Sequence, residues 1–187
     1  MGAAVTRMRG EQGTTIIEVI VASALLVTLM AGLMAMSSLA ISTTENQGHL
    51  GARVTEYAQD KMEQLLSLDY GNAITDTRSF PAGTSGGSGL TPGGSYNVDS
   101  PVALYVDYLD VNGNLCGTTG AACAAPSGTT PPSGWFYERA WKIDDSTTDA
   151  TLPANLKRIT VGAATTRGFG GATRATSYLT VLKSSPF

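Results

Sequence analysis

From Thr14 to Ile41 the chain is one apolar run of 28 residues with a single charge in it, Glu18. As a helix this run is roughly 42 Å long at about 1.5 Å per residue, enough to cross a bilayer core of about 30 Å. The short polar stretch before it, MGAAVTRMRGEQG, carries Arg7 and Arg9. Basic residues ahead of a span predict a cytoplasmic N-terminus. A cleaved secretory signal fits poorly, because its apolar core should be about 7–15 residues long and end at a small-residue cut site. Glu18 calls for a reason. An acid at the centre of a helix in lipid costs roughly 2.5–3.5 kcal/mol, and less near the interface.

The helical pattern continues past the apolar run. Leu50, Val54, Tyr57, Ala58, Met62, Leu65 and Leu66 recur at three- and four-residue steps, while Arg53, Glu56, Asp60 and Glu63 take the other side. That periodicity predicts an amphipathic helix whose stripe packs on the chain's own C-terminal half. One helix over about 14–68 follows, with Gly71 just past its last turn. Gly48 and Gly51 weaken it by about 1 kcal/mol each relative to Ala.

The stretch FPAGTSGGSGLTPGGSY, within residues 71–100, reads as a loop with too little apolar surface to pack. Strand-like runs follow at 102–111, 135–143, 155–163 and 175–183. Asn112-Gly113 marks a tight turn after the first. In the second, Trp135, Tyr137, Arg139, Trp141 and Ile143 alternate with Phe136, Glu138, Ala140 and Lys142. The last two read as a hairpin across TTRGFGGATR, with 135–143 as their neighbour. The fold class expected is α+β. A long N-terminal helix, apolar then amphipathic, rests on one face of an antiparallel sheet of three to four strands.

Composition narrows the function. Net charge is −3 and the pI is about 5.0, with no basic stripe after the first ten residues, so a nucleic-acid partner is not expected. His49, Cys116 and Cys123 are the whole stock of soft metal ligands. A triad or a His-rich metal centre would have to use His49. No enzymatic role, metal or other cofactor is expected.

The residues GTTIIEV, Gly13 to Val19, with the apolar run after them, resemble the class III signal of the type IV pilin and pseudopilin family. The downstream order of one long helix, a variable loop and a small antiparallel sheet is similar too. In that family a short basic leader ends in Gly, and a Glu is the fifth residue after the cut; Gly13 and Glu18 match. The family usually has a large apolar residue at the first mature position, where this chain has Thr14. Within the family, AQDKMEQLLSLDYG, RAWKID, LKRITV and YLTVLKSSP look most like PilV-like minor pilins and type II secretion pseudopilins.

The resemblance implies a leader over 1–13, removed by a prepilin peptidase at Gly13–Thr14 with methylation of the new Thr14 amine. It implies a membrane or filament-core half of the helix over 14–41 and an amphipathic half over 42–70. A variable loop over 71–100 and a sheet domain over 101–187 complete the layout. Expected partners are other pilin subunits, the peptidase and an inner-membrane assembly platform. The precursor would sit in a bacterial inner membrane with its C-terminal domain in the periplasm, and then enter a pilus or pseudopilus. Glu18 would pair with the Thr14 amine of a neighbouring subunit during assembly. Alternatives are a type II secretion pseudopilin, and a single-pass anchored periplasmic binding module that keeps residues 1–13.

Other motifs carry less. In an oxidising compartment Cys116 and Cys123 read as a disulfide, with free thiols or a metal pair as alternatives. DYLDVNGNL fails the calcium-loop spacing and reads as a hairpin turn with solvated acids, against a looser calcium site from Asp107, Asp110, Asn112 and Asn114. Trp135, Tyr137 and Trp141 read as a core face rather than a binding surface. Asp144 and Asp145 read as solvated loop acids. RGFGGATR lacks the strand-then-helix context of a phosphate cradle.

Overall fold

The computed structural model describes residues 15–166 and 174–185. Helix α1 runs Ile16–Leu66 as 51 unbroken residues. The chain forms two compact units, residues 1–42 and 43–187. The first contains the apolar half of α1, and every residue of it from 15 to 42 is exposed. In its hydroxyl-bearing stretch Ser23 Oγ donates to the Ile20 carbonyl at 2.9 Å and Thr28 Oγ1 to the Leu25 carbonyl at 2.9 Å. These polar groups are satisfied within the helix, as an apolar solvent demands.

The second unit holds the amphipathic half of α1 and one antiparallel sheet. Its strands are β1 (Gly93–Gly94), β2 (Val106–Leu109), β3 (Tyr137–Asp144), β4 (Leu156–Thr165) and β5 (Thr176–Ser184). β1 and β2 share one edge of β3: Gly93 faces Ile143, and Val106 faces Ala140. β4 takes the other edge, with Trp141 opposite Val161, and β5 closes the order with Thr180 opposite Thr160. The expected hairpin of the last two strands and their neighbour are therefore present. The sheet has five strands rather than three or four because two very short ones lie end to end along β3. Most of the hairpin loop TTRGFGGATR lies outside the described residues.

The helix stripe lands where its period places it. Val54, Tyr57, Ala58, Met62 and Leu65 are buried against Tyr137, Trp141, Ile143, Ile159 and Val161. Arg53, Glu56, Asp60 and Glu63 are exposed. α1 stops at Leu66, two residues short of the expected end and well before Gly71. Its last turn has no basic residue of its own. Instead Lys183 Nζ, from β5, donates to the Leu66 carbonyl at 2.7 Å, a cation placed at the negative end of the helix dipole.

Three expectations are corrected by the fold. The Gly/Ser-rich stretch does pack: Leu90 is fully buried, and Thr75, Thr77 and Ser88 are nearly so. Glycines make this possible by letting backbones touch. Gly87 N–H donates to the Ile74 carbonyl, Gly89 N–H to Thr75 and Leu90 N–H to Asn72. Burial is reached through backbone contact, not through a hydrophobic pattern. Second, the strand expected over 102–111 is only β2, because Leu104 has φ 71° and breaks the extended chain. Third, Trp135 lies before β3 and packs on Tyr108 at 5.3 Å between ring centroids. It belongs to a second cluster with Val106, Cys116, Cys123 and Ala140, on the face of β3 away from the helix. Both faces of β3 are thus covered.

Gly87 sets the tightest of these approaches to backbone: a Cβ there would lie 2.3 Å from Asp76 Cα and 2.3 Å from the Thr75 carbonyl oxygen. Gly87→Ala is expected to destabilise the protein by about 1–3 kcal/mol through forced backbone displacement. A thermal unfolding midpoint equal to that of the parent would show that the loop is not clamped.

Candidate functional site

Two sets of residues are candidates for a functional site, one in each unit. In the first, Glu18 stands in the opening turn of α1, its N–H donating to the Thr15 carbonyl at 3.0 Å. Around it Ile16, Ile17, Ile20 and Val21 are all more than half exposed. The helix is long and apolar enough to cross a membrane by length and composition. Gly13 and Thr14 lie outside the described residues.

In the second unit the helix stripe contains a charge that its pattern hides. Lys61 is fully buried between Ala58 and Met62. Its Nζ lies 2.5 Å from Asp107 Oδ2, 2.5 Å from the Thr77 carbonyl oxygen and 4.6 Å from the centre of the Trp141 ring. Asp107, on β2, also receives Arg139 of β3: Nε donates to Oδ1 at 2.7 Å and Nη2 to Oδ2 at 2.9 Å. Alternation on β2 and β3 explains the meeting. Tyr105, Asp107 and Leu109 point toward the helix, and so do Tyr137, Arg139 and Trp141, with Asp107 directly opposite Arg139.

The electrostatics are strongly perturbed. Burial pushes the Lys61 ammonium down to about 8, against the pull of Asp107. Burial also opposes ionisation of Asp107, but the charges of Arg139 and Lys61 outweigh it and hold the carboxyl below its usual range. On the opposite face of β3, Glu138 is pushed up to about 7 by burial, in spite of its ion pair with Arg174 at 3.2 Å.

Of the four acids expected to be solvated, Asp107, Asp110 and Asp144 are buried and Asp145 is not. Asp107 and Asp110 are buried to within 1%. Asp110 is an internal cap for its turn: Oδ1 accepts the N–H groups of Asn112 and Asn114, and Oδ2 accepts Asn114 Nδ2 and Ala122 N–H. Gly113, at φ 87°, donates to the Asp110 carbonyl at 3.1 Å, so the turn at Asn112-Gly113 is present. Both carboxylates of the loose calcium site are thus engaged within the protein; among the described residues no group of three or more His, Cys, Asp and Glu could hold a metal. Asp144 is also buried, in β3, paired to Lys142 and Arg158. Asp145 keeps its place in a Ser/Thr turn, accepting Thr147 N–H at 2.8 Å.

Cys116 and Cys123 are joined in a disulfide, with Cα atoms 4.9 Å apart. The closed loop is short, worth about 2–3 kcal/mol in the loop-entropy account. It covers the second face of β3 through the cluster around Trp135. Sequence reasoning missed Lys61 and Arg139 as partners. The usable signal is a lysine at a stripe position on α1, with an aspartate and an arginine both at inward positions of adjacent strands. Comparison with models of protein families, with curated proteins and with solved structures finds no match.

Two cations share one carboxylate, so the members of the cluster are not equivalent. Asp107→Ala leaves both cations buried and unpaired and is expected to cost roughly 3–5 kcal/mol. Lys61→Met leaves a matched Asp107–Arg139 pair and is expected to cost no more than about 1–2 kcal/mol. Denaturant unfolding of the two variants checks the order. The pH dependence has a definite sign. The folded chain binds the Lys61 proton less tightly than the unfolded chain, whose lysine titrates near 10.5. Stability therefore carries the full penalty below pH 8 and rises as pH climbs from 8 toward 10.5. The same titration of Lys61→Met should lack that rise.

Proposed function

We propose that the chain is a minor type IV pilin-like structural subunit, made as a membrane-anchored precursor and assembled through its N-terminal helix. One observation carries this reading. Glu18 sits in the first turn of a helix that is apolar and exposed on every side for more than 25 residues, five positions after Gly13. A plain anchor does not require an acid in its first turn. The prepilin signal does: cutting after Gly13 creates a cationic amine at Thr14. Packed in an apolar bundle of helices, the amine of one subunit and Glu18 of the next would neutralise each other. Breaking such a pair by removing one partner costs roughly 3–5 kcal/mol, enough to define the axial register of an incoming subunit.

The folded half fits the same role. A disulfide-closed loop suits a domain held outside the cytoplasm. The subunit is the substrate of a peptidase rather than an enzyme. It would act on fibre assembly, adhesion or DNA uptake through its sheet and loops. A type II secretion pseudopilin would use the same residues in the same way.

Intact mass and N-terminal sequencing of the protein extracted from membranes test the reading. A chain starting at Thr14, with or without an added methyl group, is expected. A chain starting at Met1 would instead indicate a permanent anchor. Glu18→Ala should be processed normally yet enter filaments far less than the parent; incorporation at the parental level would remove the pairing role.

A further inference from the structure

The buried cluster contains more positive charge than its carboxylate can neutralise. Asp107 accepts Arg139 through Nε and Nη2 and also faces Lys61. Arg139 Nη1 has no partner among the described residues, and it is not one of the sealed polar atoms. The Arg139 side chain is only 4% exposed, yet it lines a cavity of about 590 Å³. Its Nε–Nη2 edge is turned to Asp107, so Nη1 is the nitrogen left to face the cavity. A desolvated guanidinium with a free donor and an uncompensated charge favours an anion.

The walls restrict which anion. Tyr57 and Leu115 give apolar surface, and Phe80, 65% exposed, lines the cavity too. Asp60 and Glu63, both exposed, come from the same helix as Tyr57. A simple anion entering past two carboxylates is repelled. A ligand that carries its own cation is attracted by both ends. We propose that this cavity binds a small zwitterion of the α-amino-acid class with an apolar side chain. The carboxylate sits on Arg139 Nη1, the ammonium beside Asp60 or Glu63, and the side chain against Tyr57, Leu115 and Phe80. The volume lies within the roughly 300–1,000 Å³ usual for small-molecule sites. All these residues belong to the second unit, so the site does not depend on how the apolar half of α1 is carried.

Isothermal titration of the full chain in detergent with L-leucine and with L-phenylalanine tests the assignment. Saturable binding of at least one is expected, with a Kd of about 1 mM or tighter. Leucinamide and N-acetylleucine, or their phenylalanine counterparts, should bind at least about tenfold more weakly, since each lacks one of the two charges. The double variant Asp60→Asn, Glu63→Gln changes only exposed groups, leaves the buried cluster intact and should also weaken binding about tenfold. A Kd weaker than about 1 mM for both amino acids overturns the proposal. So does an amide that binds as well as the free acid, or a double variant with unchanged affinity.

Discussion

Asp107 is the point at which the folded half of the molecule is tied together. It sits on β2, grips Arg139 on β3, and holds Lys61 on α1, which in turn donates to the Thr77 carbonyl of the loop. Four segments distant in sequence thus meet around one carboxylate. Taking these charges out of water costs several kcal/mol per ion, so the arrangement is stable only with the partners in place. That requirement sets the rotation of the helix. With Lys61 directed at the sheet, Val54, Tyr57, Ala58, Met62 and Leu65 follow it inward at helical spacing, and Arg53, Glu56, Asp60 and Glu63 stay out. It also sets the register of β2 on β3, because a shift of one residue would turn Asp107 to the opposite face.

The same helix is built for two surroundings. Over its apolar half even the hydroxyls of Ser23 and Thr28 return to the helix backbone, leaving no polar demand at those positions. Over its amphipathic half it meets polar surface on one side and a packed, charge-bearing core on the other. The first half is long and apolar enough to cross a membrane, and the second packs on the disulfide-closed sheet domain.

Much of this can be read from the residues because it rests on periodicity. The long helix, the β4–β5 hairpin with β3 as its neighbour and the Asn112-Gly113 turn all follow from spacing and local preference; which side of the hairpin β3 takes does not. What cannot be read rests on pairing between distant positions. In sequence, Lys61 looks like one polar residue spoiling a stripe; in the fold it is the stripe's anchor. Asp107 and Asp110 look like loop acids, and their burial is invisible until Arg139 and the N–H groups of Asn112, Asn114 and Ala122 are brought to them. The loop around Leu90 looks structureless because glycine contributes no hydrophobic signal, and its order comes from backbone approach. Trp135 falls on the wrong face when the alternation is extended two residues before β3 begins.

If Asp107 binds helix, loop and sheet into one unit, these parts must open together. Native-state hydrogen exchange of the full chain in detergent reports this directly. The account predicts that the amides of Val54–Leu65, those of Gly87, Gly89 and Leu90, and those of β3 exchange with one common opening free energy. Loop amides that exchange at the rate of an unstructured chain, while β3 stays protected, would contradict it.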